Sequence, residues 1–175
     1  MTGPVFLEAQ DVTLRVPGED DLDFLTELVN DPEVWPSLMA NRPRTRIEER
    51  EFVESLVDSD EVHLLICHDD DPAGVIGLND VNQAWGIAEL GYMLAPDAWG
   101  NGYTTDAARR LVRYGFEDLR LHKVKANAYE TNPASRRVLE KVGFEEEGLF
   151  RQHAYVRGEY VDVHRYGLLA DEFES

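Results

Sequence analysis

The chain is short of cysteine and of lysine, and each shortage closes off a class of protein. Its single cysteine in 175 residues, Cys67, excludes a disulfide framework. Its place at the end of the apolar run Val62 to Cys67 marks it as a core thiol and not as a nucleophile or metal ligand. Only Lys123, Lys125 and Lys141 represent lysine, and the formal charge is −18, a balance that argues against nucleic acid as a partner. No apolar run is long enough to cross a bilayer, and Met1 to Gln10 lacks the basic-then-apolar pattern of a leader, so no membrane contact and a cytoplasmic location are expected. His63, His68, His122 and His164 follow no metal-ligand spacing, and no metal is expected. No linker or composition shift divides the chain, which predicts one domain over 1–175.

Acid fills the place of the missing lysine, with 35 Asp and Glu spread over every segment. Such a surface is either an adaptation to high salt, a halophilic trait, or a field that attracts polycations such as polyamines. The even spread favours the first, and at molar salt a Debye length of about 3 Å would abolish steering. The run Asp69-Asp70-Asp71 invites a calcium loop, but Ala73 occupies a ligand position and no glutamate closes it, so a solvated turn is expected.

Periodicity places the elements. Val12 to Val16 alternates as a strand, and Asp20 to Val29 puts Leu22, Leu25, Leu28 and Val29 on one helical face. Thr45-Arg46-Ile47-Glu48 is a capping box opening a second helix, with Ile47, Phe52, Leu56 and Val57 expected inward. Glu61 to Cys67, Val75 to Val81 and Ile87 to Leu94 form a strand meander joined through Asp69 to Gly74 and Asn82 to Gly86. A helix over Thr104 to Leu119, a strand over Lys123 to Tyr129 and a helix capped by Asn132 and ended by Gly143 follow, then a hairpin over Gly148 to Leu169 turning at Arg157-Gly158-Glu159.

The chemistry concentrates between Leu90 and Phe144. A strand, the turn Trp99-Gly100-Asn101-Gly102-Tyr103-Thr104 and a helix N-terminus together present unpaired backbone N–H groups at a positive dipole end, a seat for pyrophosphate over Asn101 to Thr105. The dinucleotide fingerprint would need a third glycine at Thr105, and no Walker lysine follows the turn. With Asn132-Pro133-Ala134-Ser135 and Gly143-Phe144 at their later spacing, this order resembles the GNAT N-acetyltransferase superfamily, in particular its RimJ/RimL ribosomal-protein branch, over nearly the whole chain. The family usually has Gln or Arg at Trp99 and Gly or Ala at Thr104, positions expected to act mainly through backbone.

The resemblance implies a mixed α/β fold whose mostly antiparallel sheet, flanked by helices, splays between its fourth and fifth strands. It also implies acetyl-CoA as cosubstrate, with direct attack of a primary amine on the thioester. Cofactor contacts carried over from the family fall on Met93 or Leu94, whose backbone N–H would hold the oxyanion, on Trp99 to Thr105, and on Asn132 toward the pantetheine arm. Many relatives protonate the thiolate with a tyrosine seven residues after the asparagine; here that position is Leu139, which leaves Ser135, itself also an ordinary helix-start residue. Glu89 is the candidate base through water, with a cross-strand charge pair as its alternative. Some relatives use a glutamate near Ala154; His153 is the nearest titratable neighbour, though alternation aims it at the other face.

Acceptors in this branch include protein N-termini, small amines, polyamines and antibiotics, and a protein or peptide α-amino group is the expected one, with Asn30 to Met39, containing Trp35, and the hairpin residues His153 and Tyr155 forming the mouth and core packing as the alternative role of Trp35. A chain that binds acyl-CoA without chemistry is the remaining alternative, and a monomer or homodimer suits either.

Overall fold

Eight strands form one sheet in the spatial order β1-β2-β3-β4-β5-β6-β8-β7 in the structure, a computed structural model that describes residues 2–38 and 41–174. They are β1 (Val5–Glu8), β2 (Thr13–Arg15), β3 (Val62–His68), β4 (Asp71–Asn82), β5 (Ile87–Leu94), β6 (Lys123–Tyr129), β7 (Glu145–Val156) and β8 (Glu159–Leu169). Only β5 and β6 run parallel; the other neighbours are antiparallel. The opening segment, featureless in sequence, supplies β1, so the parallel pair is the fifth and sixth strands and not the fourth and fifth. Four residues carry too short an alternation to stand out.

Alternation along the strands sends side chains to two helical layers. Ile76, Leu78, Leu90 and Val124 pack with Leu111 and Val112 of α3 (Tyr103–Glu117) and Leu139 of α4 (Pro133–Val142). Leu65, Cys67 and Val75 point the other way, onto Leu22 and Leu25 of α1 (Leu22–Asn30) and Val53 of α2 (Arg46–Ser55). Full burial of a leucine or valine is worth about 1.5–3 kcal/mol, so these two layers supply most of the drive to fold. Cys67 is buried as expected, and burial pushes its thiol up to about 11. Gly143 ends α4 in the left-handed region (φ 114°), its N–H donating to the Leu139 carbonyl, and Phe144 re-enters the core.

Three local expectations need correction. The Thr45–Glu48 capping box forms, but α2 turns Glu49 and Val53 inward while Ile47 and Val57 are 65% and 83% exposed. A buried carboxylate on the core stripe breaks the apolar pattern from which a helix face is read. The turn after β3 is only Asp69-Asp70, both with positive φ, and Asp71 to Gly74 already belong to β4. Paired left-handed residues suit a two-residue hairpin, where aspartate is tolerated. Finally, β7 begins at Glu145, and irregular pairing between Phe150 and Ala154, with Gln152 at φ 47°, breaks the alternation used to orient His153.

Candidate active site

β5 and β6 pair only over Ile87–Glu89 with Lys123–Lys125. Beyond that, β5 stays on β4 as far as Leu94 opposite Gly74, and β6 stays on β8 as far as Tyr129 opposite Val163. One edge of Leu90 to Leu94 is therefore without a strand partner. The Ala95 N–H donates to the Ala73 carbonyl at 2.9 Å, so alternation turns the Met93 amide toward β4 and those of Leu94 and Tyr92 into the gap. Of the two amides expected to face a thioester carbonyl, Leu94's has that orientation and Met93's does not; the Met93 side chain instead lines a pocket on the α1–α2 side.

The glycine turn lies at the end of this strand. Trp99 Nε1 donates to the Leu94 carbonyl at 3.0 Å, and Asn101 Nδ2 donates to the carbonyls of Ala98 and Trp99 at 3.1 and 3.3 Å. Trp99, expected to act mainly through backbone, thus ties the turn to β5 with its side chain. Gly102 precedes α3 at φ 80° with no side-chain cap, and a Cβ added there or at Gly100 would meet nothing within 4 Å. The first amides of α3, at Tyr103, Thr104 and Thr105, consequently open onto free space at a helix N-terminus, a suitable seat for phosphate. The one acid in that first turn, Asp106, faces elsewhere: its carboxylate accepts from the backbone N–H groups of Gln10, Asp11 and Val12 at 2.7–3.2 Å.

Asn132 caps α4 by accepting from the Ser135 N–H at 3.1 Å. Ser135 Oγ is 2.8 Å from the hydroxyl of Tyr92, which also reaches the Ser135 carbonyl at 3.2 Å. Sequence reasoning missed Tyr92. Its signal is positional: it shares a β5 face with Leu90 and Leu94, and that face meets α4. Burial pushes the Tyr92 phenol up to about 12, so it stays protonated at neutral pH.

Glu89 lies on the other face, with Gly91 and Met93. Its carboxylate is 3.4 Å from Lys125 Nζ and 3.8 Å from Arg165, and it accepts from Asn127 Nδ2 at 3.3 Å. That is the cross-strand charge pairing weighed as its alternative role, extended to three partners. Trp35 and Tyr155 are 42% and 64% exposed. Arg157, at the tip of the β7–β8 hairpin, donates to the Pro32 carbonyl at 3.2 Å and so joins the two proposed sides of the mouth. Among the described residues no hydrogen bond or ring contact links Trp35 to His153 or Tyr155; His153 packs on Phe150 and Tyr155 on Tyr160. Met39 lies outside the described residues. Among those described, no group of acids, histidines or cysteine is placed to hold a metal, and no helix is long and apolar enough to cross a membrane.

Comparison with known proteins gives consistent matches. The profile of the acetyltransferase (GNAT) domain matches residues 11–145. An uncharacterised N-acetyltransferase of Bacillus licheniformis is 30% identical over 95% of this chain and 97% of its own length. The putative ribosomal N-acetyltransferase YdaF of Bacillus subtilis is 33% identical over 94% of each. In structure, the chain resembles the spermidine N-acetyltransferase of Vibrio cholerae in complex with CoA and spermine, with a TM-score of 0.87 and 26% identity over 93% of this chain and 97% of that one.

Proposed function

The chain belongs to the GNAT family of acetyl-CoA-dependent N-acetyltransferases, and on that premise we propose that it acts, as one domain of RimJ/RimL type, on the α-amino group of a protein or peptide N-terminus. The observation that carries the mechanism is the gap beyond Glu89 and Lys125, which leaves the Leu94 amide unpaired between the two faces of the sheet. Acetyl-CoA lies along the α3–α4 side, its pyrophosphate on the amides of Asn101 to Thr105 and its pantetheine arm near Asn132. The acceptor amine arrives from the α1–α2 side, past Trp35, His153 and Tyr155.

Each residue then has one task. The Leu94 N–H holds the thioester carbonyl and the negative charge it gains on attack. Glu89, held between Lys125 and Arg165, takes the ammonium proton through water, a modest demand because an α-amino group has a pKa of about 8 against about 10.4 for lysine. Ser135, on the opposite face, gives a proton to the departing thiolate and regains one from solvent, while the Tyr92 hydroxyl at 2.8 Å holds its rotamer. Base and acid on opposite faces suit a direct transfer, in which amine and thiol never occupy the same side.

Polyamine acetylation is the second reading, favoured by the likeness to the Vibrio cholerae enzyme and by the charge of −18. A panel of N-terminal peptides and polyamines, assayed by thiol release from acetyl-CoA in molar potassium chloride, separates the two. The proposal expects peptides to be turned over with higher kcat/KM; a clear preference for spermidine refutes it.

A further inference from the structure

On the α1–α2 face of β4 and β5 the sheet lacks two side chains in a row: Gly77 and Gly91 are direct partners. The space they leave is part of a cavity of about 210 Å³ walled by Leu25, Phe52, Val53, Val75 and Met93. An apolar cavity of about 150 Å³ takes up benzene, so this one has room for a side chain the size of leucine or phenylalanine. Its floor at Gly91 and Met93 alternates with Tyr92 and Leu94, whose amides face the gap between the parallel strands. A group seated in the cavity is therefore anchored beside the Leu94 amide.

The charge of the lining is nearly cancelled. Among the described residues that wall the cavity the only acid is Glu49, 6% exposed, and its carboxylate already faces Arg44 Nε at 3.2 Å. Burial also raises its proton affinity, which weakens it further as a cation ligand. His63 is engaged by Glu61 at 3.1 Å and packs edge-on against Phe52. A polyamine would bring several ammonium groups to a pocket with one carboxylate, already opposed by a guanidinium; burying such charges unpaired is costly.

Building on the transferase reading above, we propose that this cavity is the specificity pocket of the acceptor and takes a bulky apolar group attached next to the reacting amine. The acceptor is a monoamine bearing a leucine- or phenylalanine-sized group, either the first residue of a peptide or a free arylalkyl amine. Each methylene buried is worth about a fourfold gain in affinity, so a large apolar group outcompetes a small one by roughly tenfold or more even when partly seated.

The test uses the full chain with peptides that differ only in their first residue (Leu, Phe, Ser or Gly), with phenylethylamine and with spermidine. A Cβ at Gly91 would meet Asn79 Nδ2 at 2.9 Å, the end of a side chain that can swing away, whereas one at Gly77 would meet the Val62 carbonyl at 2.8 Å. Gly91→Val is accordingly the filling variant and Phe52→Ala the enlarging one. The wild type is expected to show kcat/KM at least tenfold higher for Leu and Phe peptides than for Ser and Gly peptides. Gly91→Val should bring that ratio close to one, and Phe52→Ala should shift the preference from leucine toward phenylalanine. Phenylethylamine matching the Phe peptide identifies a small amine as the source of the chemistry; a large advantage for the peptide identifies an N-terminus. Spermidine equalling the apolar acceptors, or a Gly91→Val ratio like that of the wild type, overturns the proposal while leaving acetyl transfer intact. If no amine releases thiol, the transferase reading fails by itself and thermal shift decides the pocket: stabilisation by phenylethylamine in the wild type but not in Gly91→Val supports it, and none in either overturns it.

Discussion

Replacing Gly102 by valine separates backbone strain from ligand contact. Gly102 sits at φ 80°, where a side chain costs about 1–2 kcal/mol, and a β-branched one falls at the upper end. In a chain of this size 1 kcal/mol moves Tm by about 2–4 °C, so the variant should melt roughly 4–8 °C lower and still fold. The added Cβ meets no protein atom within 4 Å, and any further loss must come from what approaches that space. Losing one or two charge-assisted hydrogen bonds between phosphate and the α3 amides, at about 1.5–3 kcal/mol each, weakens acetyl-CoA binding by roughly tenfold for one weak bond to about ten-thousandfold for two strong ones. Gly158→Val is the matched control, since Gly158 has φ 93° and equally open surroundings in the β7–β8 turn, remote from α3 in the sheet order. It should show a similar drop in Tm and unchanged affinity. Calorimetric titration of both folded variants with acetyl-CoA gives the answer: wild-type affinity in Gly102→Val, or an equal loss in Gly158→Val, refutes the phosphate seat.

Ser135→Ala should lower turnover about 100-fold across the whole pH range, and Tyr92→Phe by a smaller factor in the same manner, with acetyl-CoA affinity unchanged; wild-type pH–rate profiles for both would leave the pair as helix-start packing. Glu89→Gln should lower turnover chiefly at lower pH, where the amine is protonated, and recover as pH rises. It should also cost about 1 kcal/mol or less of stability because Lys125 and Arg165 lose their shared carboxylate, and an equal loss at every pH would deny Glu89 the role of base. If the acidic surface is a salt adaptation, Tm rises as potassium chloride approaches molar concentration; a flat or falling Tm favours the polycation reading.

What was legible in the sequence was whatever neighbouring residues decide among themselves. The Asn132 cap, the Gly143 stop and the Thr45–Glu48 box are short-range arrangements, and all three form. Ile87–Leu94 and Lys123–Tyr129 were readable as strands because their alternation runs long enough. The inward face of α2 was not, because Glu49 is buried there by tertiary packing against Arg44 and the sheet. Nor were the contacts of the site. The Tyr92–Ser135 pair spans 43 residues, the Trp99 strut depends on where the turn folds back, and the Gly77–Gly91 depression exists only in the register of two strands. In sequence Gly77 and Gly91 are two ordinary glycines; paired, they form the floor of a cavity.

The central claim, a direct transfer across the gap between β5 and β6, is tested most directly by initial-velocity kinetics with both substrates varied and acetyl-labelled acetyl-CoA. On this account the gap lets amine and thioester meet without an acylated side chain, and the chain's one thiol, Cys67, is buried with its ionisation suppressed. The account predicts intersecting double-reciprocal lines, label on the acceptor amine and none retained by the protein. Parallel lines, with label trapped on the chain when the acceptor is withheld, would contradict it.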